Sequence, residues 1–265
     1  MSDGSADERP RPRYDRQLLL HGSKRDVVLE LSEVERYGVD SYGDADYVSV
    51  YGLRPADWYA RGVRLLGRSA VECTRDVLAE AIATDVAAVA AAVPPSSGLL
   101  VIDPFVGTGN TLHWILRRLD GARGVAFELD PAVYQLTRRN LALLGLPIDV
   151  VQDDCLRGLG GVAATDAELV VAFVAPPWGR ALGADGLDLG RTTPPVATII
   201  DALRGQFPRN RLLCAVQIHE TVDARSLDAL KPRFDWCTTR VYDLNAAGQN
   251  HGILLGTRGW TPRPW

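Results

Sequence analysis

The stretch Leu99-Leu100-Val101-Ile102-Asp103-Pro104-Phe105-Val106-Gly107-Thr108-Gly109-Asn110 decides the fold, because its character changes twice within twelve residues. Leu99 to Ile102 is an apolar run after the linker Ser96-Ser97-Gly98, and Leu99–Asp103 reads as a strand. Gly107 and Gly109 supply a sharp turn, and Thr111–Leu119 is amphipathic at helical spacing. Strand, glycine turn and helix together form a ligand-binding unit of open α/β sheets. The bland alternative is a tight strand–helix connection, and the two glycines alone do not decide between them.

Outward from this stretch the alternation continues. Strands are expected at Gly124–Glu128, Ile148–Gln152, Leu169–Val174 and Arg211–Ile218, with helices at about Pro131–Leu144 and Pro195–Phe207. Two closely spaced runs, Phe234–Tyr242 and His251–Arg258, suit antiparallel pairing at the C-terminal end. This pattern gives an α/β class with a mostly parallel sheet and helices on both faces. Before it, residues 17–95 read as a partly helical extension on the substrate side, irregular up to about residue 70 apart from one short helix near Ala56–Leu65. Val71–Val93 then reads as helical and Ala-rich. Residues 1–16 have the composition of a disordered tail. The division expected is therefore tail 1–16, extension 17–95 and main domain 96–265.

In such sheets ligands sit beyond the carboxyl ends of the strands, so the residues there are the candidates. They are Asp103 and the glycine turn, Glu128, Asp153-Asp154, Ala175-Pro176-Pro177-Trp178, and Gln217 with His219. Glu128 stands where a ribose-binding acid belongs. Asp154 either accepts from an adenine amino group or caps a helix, a choice that also faces Asp130. Trp178 follows Pro-Pro in a loop, where an indole suits stacking on a planar ligand better than solvent. His219 is either structural or a proton carrier. The tyrosines of residues 37–59 read as packing rather than substrate contact. A third dinucleotide-type glycine is missing, since Leu112 stands at its place, and an acid beside the turn is unfavourable to a pyrophosphate. An ammonium and a sulfonium suit that acid better.

Composition narrows the partners. Net charge is −4, so there is no overall basic balance of the kind nucleic-acid binders often show. Of 29 basic residues only Lys24 and Lys231 are lysines, which with the abundant Ala, Gly and Pro points to a GC-rich bacterial genome. Cys73, Cys155, Cys214 and Cys237 have no metal-ligand spacing, and no metal is expected. No signal-peptide pattern and no membrane-spanning run is visible, so the expectation is a reduced, cytoplasmic protein with no membrane partner.

The run Val101–Thr111, Glu128 with Asp130-Pro131, Asp154, and Ala175-Pro176-Pro177-Trp178-Gly179 resemble class I S-adenosylmethionine (SAM)-dependent methyltransferases, which have a Rossmann-like fold. Within them the chain is most similar to the trimethylguanosine synthase-like group of RNA cap guanine-N2 methyltransferases. The resemblance covers about residues 95–220 and implies a bound SAM. Asp103, Gly107 and Gly109 would line its methionine end, Glu128 the ribose and Asp154 the adenine. Phe105, Thr108, Asn110, Leu129 and Cys155 would complete the cofactor site. Pro176, Pro177 and Trp178 would shape the acceptor pocket, and the Ala175 carbonyl would accept from the acceptor nitrogen. His219 or Glu220 would take the released proton. The group's pattern has a polar residue where this chain has Ala175, a further glycine in the first motif, and a second glycine where Arg180 stands. These departures favour a planar small molecule, as in bacterial secondary metabolism, over an RNA guanine. N-methylation is the reaction expected. A non-catalytic adenosyl-binding module is the distant alternative.

Overall fold

The computed structural model of the protein describes residues 13–94, 98–166, 168–244 and 251–262. Residues 1–12 of the expected tail lie outside them. Seven strands form one sheet in the order β3-β2-β1-β4-β7-β9-β8. They are β1 (Leu99–Asp103), β2 (Arg123–Glu128), β3 (Ile148–Gln152), β4 (Leu169–Val174), β7 (Arg211–His219), β8 (Trp236–Tyr242) and β9 (His251–Arg258). A separate small hairpin is made by β5 (Leu182–Gly183) and β6 (Gly186–Leu187), inside what the sequence suggests is a plain glycine-rich loop.

The central strands are buried on both faces, as parallel strands covered by helices are. β4 is buried along its whole length, and its sequence, Leu-Val-Val-Ala-Phe-Val, has no polar residue to spare. Side chains alternate between two cores. Val101, Val171 and Leu213 face one core, which is covered by α4 (Asp76–Ala90) and α5 (Asn110–Arg118). Leu100, Ile102 and Val216 face the other, covered by α8 (Val196–Gln206). β9 pairs antiparallel with both β7 and β8, so it is the one reversed strand of the sheet.

The N-terminal segment is more regular than its sequence suggests. It contains α1 (Leu31–Tyr42), α2 (Pro55–Ala60) and α3 (Gly67–Glu72). Short helices with few repeats leave little periodicity to read, and α2 ends five residues sooner than expected. Glu30 and Glu33 close α1 with a reciprocal capping box. Tyr37, Tyr51 and Trp58 are buried in the same core as β1 and α5. Arg13 donates to the carbonyl of Asp40, and the Tyr14 hydroxyl to Glu33 at 2.7 Å, so residues 13–14 lie against α1.

Two asparagines fasten this segment to the sheet domain. Asn140, on α6 (Pro131–Leu143), accepts from the Arg64 N–H at 3.1 Å and donates to the Arg64 carbonyl at 2.8 Å. Asn110, at the start of α5, accepts from the Tyr51 N–H at 2.6 Å and donates to the Thr74 carbonyl at 2.8 Å. Among the described residues no helix is long and apolar enough to cross a membrane.

Asn140→Ala strips both partners from one backbone unit beside a buried side chain. It should lower unfolding free energy by about 2 kcal/mol, read from the urea midpoint at unchanged m-value. A change below about 0.5 kcal/mol would show that this clamp is not a fixed contact.

Candidate functional site

Register places the candidates on one rim. Asp103 pairs with Ala126, so Glu128 stands two residues further along β2. Ile102 pairs with Ala172, and Val174 with Val216, so Ala175 and Gln217 stand at that same height on the next two strands. His219 pairs with His251, two residues higher still. Adjacent strands lie about 4.8 Å apart, so the rim from β2 to β9 runs about 20 Å.

Asp103 is 2 % exposed and its carboxylate accepts from the Phe105 N–H at 3.0 Å. Burial pushes its pKa up to about 7, with a smaller contribution from the Glu128 charge. One N–H is poor compensation for an ionised carboxylate in so dry a place. A cation beside it would supply the rest. Glu128 accepts from the Asp130 N–H at 2.9 Å through one oxygen and from the Gly107 N–H at 3.2 Å through the other. Burial raises its pKa too. Each oxygen keeps a lone pair for a hydroxyl donor.

The glycine turn is held from several sides. The Val106 N–H donates to the Phe127 carbonyl at 3.0 Å, and Thr137 donates its hydroxyl to the Gly107 carbonyl. Gly107 has φ +49° and open space where a Cβ would stand; Gly109 has φ +78° and leads into α5. Thr108 is buried and its carbonyl receives the Tyr51 hydroxyl. The Asn110 carboxamide is 1 % exposed and is spent on Tyr51 and Thr74, so its side chain is turned away from any ligand in the turn. That differs from the cofactor contact expected of it. The cause is the N-terminal segment, whose backbone needs partners where it crosses the turn.

Asp130 caps α6 through the Ala132 and Val133 N–H groups, and Asp154 caps α7 (Cys155–Gly158) through those of Leu156 and Arg157. The capping reading of Asp154 is thus realised, with both bonds on Oδ1. Asp153 pairs with Arg157. Cys155 is buried, and its thiol is pushed up to about 12. Leu129 is 66 % exposed beside Glu128.

Across the rim, Pro176 is buried, Pro177 exposed, and Phe105, Ala175 and Trp178 half-buried. The Trp178 indole packs at the margin of the second core rather than inside it. It meets the His219 ring edge-on at 5.9 Å and the His251 ring at 5.1 Å. His219 Nδ1 lies 3.1 Å from the Thr221 N–H and 3.3 Å from its carbonyl. Residue types and strand ends single out His219 but not His251, because His251 begins a strand instead of ending one. Gln217 Nε2 stands 3.0 Å from His251 Nδ1, and Thr74 donates to Gln217 Oε1 at 3.1 Å.

A cleft of about 650 Å³ opens at the opposite rim, beside Glu168, Arg211, Asp235 and Arg258. Its acids are already paired, Glu168 with Arg123 at 3.2 Å and Asp235 with Arg258 at 2.7 Å. It also lies at the amino ends of β4 and β7, away from where α/β sheets build sites. Among the described residues no group of His, Cys, Asp and Glu is arranged to hold a metal.

No family model matches the chain, and no curated protein does. Solved structures do. The "METTL16 MTase domain" shares 16 % identity over 71 % of this chain and 70 % of its own, with a TM-score of 0.51. The human methyltransferase 10 domain containing protein shares 17 % identity over 71 % and 86 %, at 0.47. TrmN from Thermus thermophilus shares 20 % identity over 72 % and 51 %, at 0.46. At such identities the likeness is one of fold, and the first carries it: the Rossmann-like methyltransferase fold.

The Asp103 pKa has a signed consequence for stability. An unfolded Asp titrates near 3.9. Between about 4 and about 7 the folded chain therefore holds a proton that the unfolded chain has lost, and stability falls as pH rises through that window. Asp103→Asn should flatten this fall relative to the parent, measured by urea unfolding at pH 5 and pH 8. Parallel slopes in the two proteins would show that Asp103 ionises freely.

Proposed function

We propose that the chain is a SAM-dependent methyltransferase that methylates a nitrogen of a planar small molecule. The observation that carries this reading is a shared rim. A buried, under-compensated acid and a glycine turn stand one strand away from a Pro-Pro-Trp turn, whose indole is flanked by two imidazoles. The residues fit the cofactor. Asp103 would meet its cationic end, Glu128 the ribose hydroxyls, and Leu129 the adenine face. The likeness of Ala175-Pro176-Pro177-Trp178-Gly179 to the trimethylguanosine synthase-like motif supports an exocyclic or ring nitrogen as the target.

When bound, SAM would supply a methyl group to the nitrogen lone pair, with the neutral thioether S-adenosylhomocysteine as leaving group. The chain's part is placement, and holding both partners collinear supplies much of the acceleration. Trp178 offers a face on which a flat ring stacks. Pro176 and Pro177 fix the backbone that leads to it, and their rings leave the turn little freedom. The Ala175 carbonyl is level with Glu128 and Gln217 and serves as acceptor for the nitrogen's N–H. His219 lies edge-on to the indole and accepts from the Thr221 N–H at Nδ1, which puts its ring proton on Nε2, so the proton that nitrogen sheds would fall to Glu220, the other candidate of this stretch. Net charge and Ala175 favour a small molecule over RNA.

S-Adenosylhomocysteine at about 100 times its Kd should stabilise the fold by about 2.7 kcal/mol, a Tm rise of several degrees for a chain this long. No shift at saturation would remove the reading. Asp103→Asn should reduce the shift, and Trp178→Ala should keep it. Binding of a guanine-containing RNA oligonucleotide should be weak and nearly independent of salt. A slope of log K against log [salt] near −3 or steeper would instead signal several phosphate contacts and an RNA acceptor.

A further inference from the structure

His251 is the rim residue that the motif does not supply. Its ring lies 5.1 Å from the Trp178 indole and 6.4 Å from the His219 ring. Its Nδ1 is fixed by Gln217 at 3.0 Å, Gln217 by the Thr74 hydroxyl at 3.1 Å, and the Thr74 carbonyl by Asn110 at 2.8 Å. The chain of bonds runs from the helix behind the glycine turn, through the N-terminal segment, to the ring beside the indole. The bond at Nδ1 decides which ring nitrogen carries the proton. With the Thr74 hydroxyl donating to Gln217 Oε1, the amide N–H₂ faces Nδ1, and a neutral imidazole then carries its proton on Nε2.

We propose that His251 is a specificity-determining contact: its Nε2–H donates to an in-plane lone pair, a ring carbonyl oxygen or ring nitrogen, of the flat acceptor stacked on Trp178. This rests on the methyltransferase reading and adds the acceptor's chemistry to it. A ring that lacks such a lone pair leaves the donor unpaired and forgoes about one hydrogen bond of affinity. The alternative role, proton acceptor, suits His251 less well. Burial, then the His219 ring, then Arg75 and Arg16 hold its pKa down at about 4, against a smaller opposing effect of Glu220. At neutral pH it is an uncharged donor and a feeble base.

The test uses the full chain labelled with ¹⁵N-histidine and saturated with S-adenosylhomocysteine. Four histidines make assignment by His251→Gln direct. The probes are 2-quinolone (ring carbonyl), quinoxaline (ring nitrogens) and naphthalene (neither). The expected result is a His251 Nε2–H resonance that moves with 2-quinolone or quinoxaline and stays put with naphthalene. At least one polar probe should bind about tenfold tighter than naphthalene, the value of one hydrogen bond. His251→Phe should abolish that preference and His251→Gln should restore most of it, both keeping the S-adenosylhomocysteine thermal shift. If His251→Phe does not fold, the resonance alone decides. The proposal is overturned if the preference survives in His251→Phe, if the resonance ignores the polar probes, or if no probe binds while S-adenosylhomocysteine does. Failure of S-adenosylhomocysteine itself to bind would sink the methyltransferase reading instead.

Discussion

Parallel pairing of β1 with β2 on one side and β4 on the other is the constraint from which everything at the rim follows. It aligns three carboxyl ends, so Asp103, Glu128 and Ala175 come to one edge although they are far apart in sequence. The pairing is stabilised by strands with no polar residue in their centres, and it leaves Asp103 and Glu128 to stand where β1 and β2 stop. Asp103 is the clearest case: four apolar residues carry it to a position too dry for a lone carboxylate. Sheet geometry thereby sets the chemistry of this acid, since burial raises its pKa.

The second constraint is that a glycine turn has little structure of its own. Here it is stiffened from outside by Tyr51, Thr74 and Thr137. The Asn110 carboxamide, both of whose ends are taken, makes the N-terminal segment part of the turn's architecture. Tyr51 itself sits at φ +62°, an unfavourable region for a bulky residue, which fits a segment whose path is dictated by its contacts. The same segment delivers Thr74 to Gln217, so one stretch of chain touches both halves of the rim.

Much of this was legible in the sequence. β3, β4 and β9 have the limits their apolar runs suggest, and Pro131 opens its helix behind an Asp cap. The rim acids, the glycines and the Pro-Pro-Trp turn follow from the rule that α/β sites lie at strand ends. What escaped was contact between elements far apart in sequence. α1 is amphipathic but is flanked by tyrosines, glycines and acids that resemble a loop. Asn110 reads as part of a cofactor turn, and only the crossing of residues 51 and 74 reveals its other employment. His251 escaped because strand-end reasoning looks at where strands finish.

The reversed direction of β9 has a consequence for where substitutions act. A strand laid against the grain brings its opening residue to the working edge, and its closing residue to the far one. His251, one of the two imidazoles beside Trp178, is thus drawn from the C-terminal arm, while Trp178, the acids and the glycines come from the parallel half. Substitutions at the start of β9 would reach the working edge without touching the turn that follows β1.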